Sequence, residues 1–144
     1  MVIIAAVGRG ETEQATIEEA VKLADAFDEP LHVVHVLSRS AFIELERSKV
    51  DETGTSVPIN DVRSMAKEIA GEAASGTAPN AKLVGIVGDP AEGILNYAKD
   101  NNTSYVVVGG RKRSAVGKAL FGSVTQSVLL EASQPTITVP ISGE

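Results

Sequence analysis

The residues whose types and spacing could do chemistry lie in the last third of the chain. An apolar run, Val106–Val108, leads into Gly109–Gly110 and then into a basic cluster, Arg111-Lys112-Arg113. A Gly122-Ser123 pair follows, and a helical pattern begins after it. Backbone N–H groups are exposed where a glycine-rich strand end meets a helix N-terminus, and the helix dipole favours anions there. The pattern predicts a site for a phosphorylated small molecule.

Other polar residues are given structural interpretations. His32 and His35 are three apart on a predicted strand, so they point to opposite faces and are not expected to share a metal ion. Asp89 precedes Pro90 and is expected to form a turn or a helix cap. Ser123 could contact phosphate or cap a helix, and capping is the favoured interpretation. No nucleophile–base pair is found, so no catalytic residue is assigned.

The first predicted helix carries several acidic residues near its start. They are most simply a solvated face with favourable charges near the helix N-terminus. These residues are Glu11, Glu13, Glu18 and Glu19.

Composition excludes several classes of function. The chain has 144 residues, no cysteine and a formal net charge of −6. Disulfide and thiolate chemistry are therefore excluded, and the charge argues against general binding to nucleic acid or to anionic membranes. No apolar run approaches the roughly 20 residues of a membrane-spanning helix, and no secretory signal pattern is apparent. The expected location is the cytoplasm.

Apolar runs alternate with helical patterns along the chain. Strict alternation predicts an α/β three-layer sandwich, with a parallel sheet between helices on both faces. The helices are predicted from 3–4 residue spacing, the last of them from an apolar face of Phe121, Val124, Val128 and Ala132. The polar segment 38–58 is predicted as a long loop, in which Ala41, Phe42, Ile43 and Leu45 could form a short helix. The strands are predicted at Val2–Val7, Leu31–Leu37, Ala81–Val87, Tyr105–Gly109 and Thr136–Val139.

The last strand, Thr136–Val139, is expected to lie at an edge of the sheet and to stop at Pro140. An unpaired edge invites pairing with another chain. The expected partner is a second copy, which makes a homodimer through this strand.

Together, several segments resemble the universal stress protein family over nearly the whole chain. The resemblance implies a Rossmann-like five-stranded sheet of order 3-2-1-4-5, one domain over residues 1–144, a homodimer, and ATP or another adenine nucleotide as ligand in some members, with Mg²⁺ as its companion ion. The segments that carry it are Ile3–Val7, Leu31–Val36, Gly88–Ile94, Val106–Gly109, Leu120–Val124 and Pro135–Pro140.

Nucleotide-binding members of that family carry a Gly, two residues, a second Gly, nine residues, and then Gly-Ser or Gly-Thr. Gly109 and Gly122-Ser123 match this pattern, whereas Lys112 stands at the middle glycine. Gly8 stands where such members usually carry an acidic residue beside the adenosine. By this correspondence Val36 is expected near the base and Gly109, Arg111 and Lys112 near the phosphates, and the loop is closed by Gly122, Ser123 and Val124. The implied nucleotide-binding residues are Val7, Gly8, Val36, Gly109, Arg111, Lys112, Gly122, Ser123 and Val124.

The sequence leaves three functions open. The favoured one is a cytoplasmic stress-response protein that binds an adenine nucleotide or related phosphate ligand and acts as a dimeric sensor or regulator. The second is a dimeric interaction module of the same fold without a nucleotide, which Gly8 and Lys112 favour. The third is a slow nucleotide hydrolase, for which the sequence offers no water-activating group.

Overall fold

The computed structural model describes residues 1–8, 13–38, 40–44, 47, 59–111, 113–115, 118–120 and 122–141. For residues 59–61, 111, 113–115 and 118–120 the description is confined to the backbone. The helices are α1 (Gln14–Phe27), α2 (Ile59–Ala74), α3 (Pro90–Asp100) and α4 (Ser123–Glu131). The strands are β1 (Val2–Ala6), β2 (Leu31–Leu37), β3 (Lys82–Val87), β4 (Thr103–Arg111), β5 (Arg113–Ala115), β6 (Lys118–Leu120) and β7 (Thr136–Ile141).

Five of the strands form one parallel sheet in the order β3-β2-β1-β4-β7. Since β7 is the fifth strand of this sheet, the order is the 3-2-1-4-5 that the sequence predicts. The chain moves outward from β1 to β2 and β3, and then returns to the other side of β1 for β4 and β7. The order of the strands therefore reverses between β1 and β4.

Alternate residues of the central strands pack on opposite faces of the sheet. Ile3 and Ala5 of β1 contact the α1 and α2 face, whereas Ile4 and Ala6 contact the α3 and α4 face. Val106 and Val107 of β4 divide in the same way, and both are fully buried. Strands covered on both faces are apolar at every position, which explains the uninterrupted runs in the sequence. The prediction of a three-layer sandwich is confirmed.

A small packing cluster lies where β2 leaves the sheet. Residues 40–44 are helical, and the Ala41 amide donates to the Ser38 hydroxyl at 3.2 Å. Phe42 packs against Leu37 and Val62. This part of the predicted long loop is therefore attached to α2, while residues 48–58 lie outside the described part of the chain.

The end of the last strand differs from the prediction. Strand β7 continues through Pro140 to Ile141, so the prediction that Pro140 stops it is wrong. The Val106 amide donates to the Pro135 carbonyl, and in a parallel pair this orients the amides of residues 137, 139 and 141 toward β4. The backbone nitrogen of residue 140 therefore points away from β4, where a proline removes no hydrogen bond of the sheet.

A further difference concerns the segment between β4 and α4. Strands β5 and β6 form a two-stranded antiparallel sheet that the sequence left as loop. Runs of three residues are too short for a period-2 pattern to be recognised. Helix α4 follows this segment, beginning at Ser123 and ending at Glu131. Among the described residues, no helix combines the length and apolar character needed to cross a bilayer.

Candidate functional site

A cleft of about 290 Å³ opens at the carboxyl ends of the central strands. Its volume is near the lower limit for small-molecule sites, and its wall is mostly apolar with a few polar groups. The lining residues come from β1, β2, β4, α3 and α4, and from the segment that joins β1 to α1. They are Ala6, Val7, Gly8, Glu13, His35, Val36, Pro90, Ile94, Val108, Gly109, Val124 and Thr125.

The position of the cleft follows from the topology. Strands β1 and β4 are neighbours, but the chain leaves them toward opposite sides of the sheet. Connections that diverge in this way leave a crevice beyond the strand ends, which is where ligands bind in open α/β sheets. Gly8 follows the end of β1, and Gly109 lies near the end of β4. The cleft is therefore at the position that the topology favours for a ligand.

The residues that the sequence assigned to the site fall into three groups. Val7, Gly8, Val36, Gly109 and Val124 line the cleft. Gly122 is the N-cap of α4 and Ser123 is its first residue, but neither lines the cleft. Arg111 also lies outside the lining, at the end of β4 two residues beyond Gly109. Lys112 lies outside the described residues.

Gly109 has a packing reason to be glycine. A Cβ atom at this position would lie 2.9 Å from the Thr16 hydroxyl oxygen and would collide with Ile141 Cδ1. Both neighbours belong to elements on the α1 side, since Thr16 lies on α1 and Ile141 ends β7. The sequence suggested that this glycine allows a ligand to approach the backbone. The structure adds that helix α1 and strand β7 could not pack closely against any larger residue.

Helices α3 and α4 both begin at the cleft, but their N-terminal caps differ. At α3, the Glu92 amide donates to the Asp89 carboxylate at 2.9 Å, which confirms the predicted cap. At α4 the N-cap is Gly122, and no described side chain caps its first turn. Since Asp89 already occupies the amides of α3 with a negative charge, the N-terminus of α4 is the better place for an anion.

Ser123 is the first residue of α4 and is exposed, so the prediction that Ser123 caps the helix is wrong. The residue before it, Gly122, takes the extended backbone conformation of a cap, with φ −62° and ψ 160°. The Ser-type capping preference pointed to a residue one position too far along the chain.

Thr125 attaches α4 to the end of β4. Its hydroxyl donates to the Gly109 carbonyl at 3.0 Å. Gly109 lies one residue beyond Val108, the last β4 residue that pairs with β1, which is why its carbonyl can accept from outside the sheet. Thr125 is not among the site residues predicted from the sequence, although a hydroxyl residue in the first turn after Gly122-Ser123 was a usable signal.

His35 fixes the geometry of the cleft wall. Its side chain is buried, and its Nδ1 donates to the Val7 carbonyl at 2.8 Å. A carbonyl only accepts hydrogen bonds, so this contact places a proton on Nδ1. The bond connects β2 to the end of β1 where both strands enter the cleft. The structural interpretation of His35 is consistent with this contact, but the sequence did not place it in the wall of the site.

Glu13 contradicts the expectation of a solvated face. It is only partly exposed and lines the cleft, whereas Glu18 on the same helix is exposed. A Cβ atom at Gly8 would lie 3.4 Å from Glu13 Oε1. The Glu13 carboxylate is therefore in the space that a side chain at position 8 would enter.

His32 lies away from the cleft, and its Nδ1 shares a 2.7 Å hydrogen bond with the Tyr97 hydroxyl of α3. Burial, assisted by the positive charge of Lys82, lowers the pKa of His32 below its ordinary value of 6.5. Burial also raises the pKa of Tyr97. The two histidines point to opposite faces as predicted, and no three potential metal ligands cluster within the described ranges.

Comparison with known proteins agrees with the fold. The universal stress protein family profile matches residues 1–140. Universal stress protein YxiE of Bacillus subtilis is 26% identical over 145 residues, covering 95% of this chain and 97% of that protein. A universal stress protein structure from Archaeoglobus fulgidus has a TM-score of 0.62 at 25% identity, covering 96% of this chain and 98% of that one.

A second solved structure is a universal stress protein in complex with cAMP. It superimposes with a TM-score of 0.64 at 18% identity and covers 99% of this chain and 98% of its own. At this identity the likeness concerns the fold alone. Because the family profile covers almost the entire chain and the five-stranded sheet has the same architecture, the chain belongs to the universal stress protein family.

Proposed function

We propose that the cleft binds an adenine nucleotide, ATP or AMP among them, and that the protein acts as a nucleotide-dependent sensor or regulator. The observation that carries the proposal is the cleft itself, which lies at the strand-order reversal and is bordered by a helix N-terminus without a side-chain cap among the described residues. A related fold with bound cAMP agrees with this class of ligand.

The two sides of the cleft suit the two ends of a nucleotide. On the β2 and α3 side the wall is apolar, with Val36, Pro90 and Ile94, and this suits the faces of a base. On the β4 and α4 side lie the Gly109 backbone and the start of α4, where N–H groups and the helix dipole attract phosphate.

The phosphate end is proposed to include Arg111, Lys112, Gly122 and Ser123. Arginine can bind phosphate with two parallel hydrogen bonds, and lysine contributes a point charge. These cations stand in a chain whose net charge is −6, so they are a local attraction for a di- or triphosphate rather than part of a generally basic surface. Mg²⁺ would be held mainly by the phosphates themselves.

In this proposal the nucleotide orders residues 109–123, and this change is read by partner proteins in the cytoplasmic stress response. No step of turnover is required. The alternative is a dimeric interaction module without a nucleotide, and a slow hydrolase is a third candidate. To test the third candidate, phosphate release is compared between the wild type and an Arg111→Ala/Lys112→Ala variant. Turnover by this protein should fall in the variant, whereas release by a contaminating hydrolase should not change.

The test is calorimetric titration of the nucleotide-stripped protein with ATP, ADP and AMP in the presence of Mg²⁺, at low and high salt. We expect saturable binding that weakens as salt rises and that falls about tenfold in Lys112→Ala, since charge-assisted contacts are worth about 1.5 kcal/mol or more. Lys99→Ala is the matched control, because Lys99 lies in the last turn of α3, at the opposite end of that helix from the cleft.

Two results would contradict the proposal. Absence of binding for all three nucleotides at either salt leaves the interaction module as the better reading of the fold. Equal losses in Lys112→Ala and Lys99→Ala would show that only net charge matters, and not a phosphate site near β4.

A further inference from the structure

The acidic side chain in the cleft wall has no role in the function proposed above. Glu13 brings a carboxylate into a site that would hold an anionic ligand, which by itself opposes binding. An ionised carboxylate is also an acceptor-only group with about four lone-pair sites. Such a group suits a part of the ligand that is rich in donors and separated from the phosphates.

The arrangement of the strands places this carboxylate near the middle of the cleft. Strand β1 lies between β2 and β4, and Gly8 follows β1 directly. The Glu13 oxygen lies 3.4 Å from where a Cβ of Gly8 would be. Val36, on β2, is to one side of it, and Gly109, on β4, is to the other. A nucleotide spanning the cleft from its apolar side to α4 has its sugar in this central part.

We propose that Glu13 accepts hydrogen bonds from the ribose hydroxyls, so that the cleft selects ribonucleotides over 2′-deoxyribonucleotides. This inference rests on the proposed nucleotide function and specifies its ligand class. A cis-diol offers two donors, and an acidic side chain that accepts from the ribose 2′-hydroxyl is the recognised solution in other nucleotide-binding α/β sheets. The absence of a side chain at Gly8 leaves room for a carboxylate that arrives from α1 instead.

The geometry accounts for the residue types at both positions. The N-cap of α1 is Glu13, but within the described part of the chain its side chain makes no capping hydrogen bond to that helix. Its carboxylate is instead directed toward Gly8, with one oxygen within van der Waals reach of a Cβ built there. An aspartate at position 8 would put a carboxylate into the same space from β1. Residues 8 and 13 are therefore alternative sources of one charged group.

The experiment measures affinities for AMP, 2′-deoxy-AMP and IMP by calorimetry. For the wild type we expect AMP to bind about tenfold more tightly than 2′-deoxy-AMP, because a hydrogen bond to a charged group is worth about 1.4 kcal/mol or more. In Glu13→Ala this ratio should fall to about one. In the double variant Gly8→Asp/Glu13→Ala the preference should return. Glu18→Ala is the control, since Glu18 is an exposed acid on the same helix.

The outcomes separate the two proposals. If no nucleotide binds the wild type, the proposed function fails. If AMP and 2′-deoxy-AMP bind the wild type equally, or if Glu13→Ala keeps the preference, the ribose role of Glu13 is wrong while nucleotide binding stands. IMP lacks the amino group of adenine, so a change in the AMP-to-IMP ratio alone in Glu13→Ala would assign the carboxylate to the base and overturn the proposal.

Discussion

At the scale of single residues, the two histidines of β2 show how one strand serves two faces of the sheet. His35 donates to the Val7 carbonyl at the cleft, whereas His32 meets the Tyr97 hydroxyl on the α3 side. Both side chains are buried, and at His32 burial and the positive charge of Lys82 both oppose the charged form and lower its pKa. His32 therefore makes folding depend on pH.

The sign of this dependence follows from the lowered pKa of His32. The unfolded chain takes up the proton near pH 6.5, before the folded chain does, so His32 contributes its full stability above pH 6.5. As the pH falls below 6.5 and through the folded pKa, the free energy of unfolding should decrease, by at most about 1.4 kcal/mol per pH unit for one proton. Urea unfolding between pH 5 and pH 7.5 measures this slope.

The variants for this prediction separate the two causes. His32→Gln should flatten the slope, and Lys82→Ala should reduce it because the nearby positive charge is the smaller of the two causes. An unchanged slope in His32→Gln would mean that other groups set the pH dependence. Carboxylates titrate mainly below this range, which is why the measurement stops at pH 5.

At the scale of elements, the position of α4 decides whether the cleft has an anion site. The N-terminus of this helix is beside β4 because the Thr125 hydroxyl donates to the Gly109 carbonyl. Val128, which is fully buried, packs the same helix into the core on the α3 side. Val124 is partly buried against the same cluster, whereas Leu129 and Leu130 are exposed. The start of α4 is therefore held by the Val124 contact and by the Thr125 hydrogen bond.

Thr125→Val should loosen the start of α4. The variant keeps the shape of the side chain but leaves the Gly109 carbonyl without its hydroxyl donor, which should lower the free energy of unfolding by about 1 kcal/mol. Nucleotide affinity should fall as well, because the first-turn amides of α4 lose their fixed position. Thr125→Ser keeps the hydroxyl and should retain both properties. Wild-type affinity in Thr125→Val would show that this hydrogen bond does not position the anion site.

At the scale of the whole molecule, β7 forms one edge of the sheet, and no strand among the described residues pairs with its outer side. It lies at the end of the order β3-β2-β1-β4-β7. Because the Val106 amide donates to the Pro135 carbonyl, residues 136, 138 and 140 direct their backbone groups outward. Pro140 blocks one outward position, while Thr136 and Thr138 keep N–H groups that could pair with a second copy. The predicted homodimer through residues 136–139 is compatible with this edge.

Thr138→Pro tests that interface. The substitution removes an outward N–H and leaves the bonds between β7 and β4 in place, so the monomer should fold. Each copy in a symmetric pair loses one hydrogen bond, together about 1–3 kcal/mol, so the dissociation constant of the dimer should rise about fivefold or more. Sedimentation equilibrium measures this change, with Thr138→Val as the control that keeps the N–H. An unchanged mass in Thr138→Pro would place any dimer elsewhere.

Most of the fold could be predicted because burial leaves a local periodic pattern. Val106–Val108 is apolar at every position since β4 is covered on both faces, and Asp89-Pro90 marks the start of α3 by local cap chemistry. Strands β5 and β6 have only three residues each, which is too short for a period-2 pattern to be recognised. The prediction for Pro140 was wrong because a proline ends a strand only where its backbone nitrogen points toward the neighbouring strand. That direction is decided by the strand register and not by the local sequence.

The site could be predicted only in part. The sequence by itself determined the alternating elements, the family and the glycine-rich ends of β1 and β4, because each of these depends on residues that are close together in the chain. Only the tertiary structure decided which distant side chains share the cleft. Glu13, His35 and Thr125 come from different parts of the chain, and they meet because the strand order reverses between β1 and β4. No local pattern encodes that meeting, since it depends on the register and packing of the whole sheet.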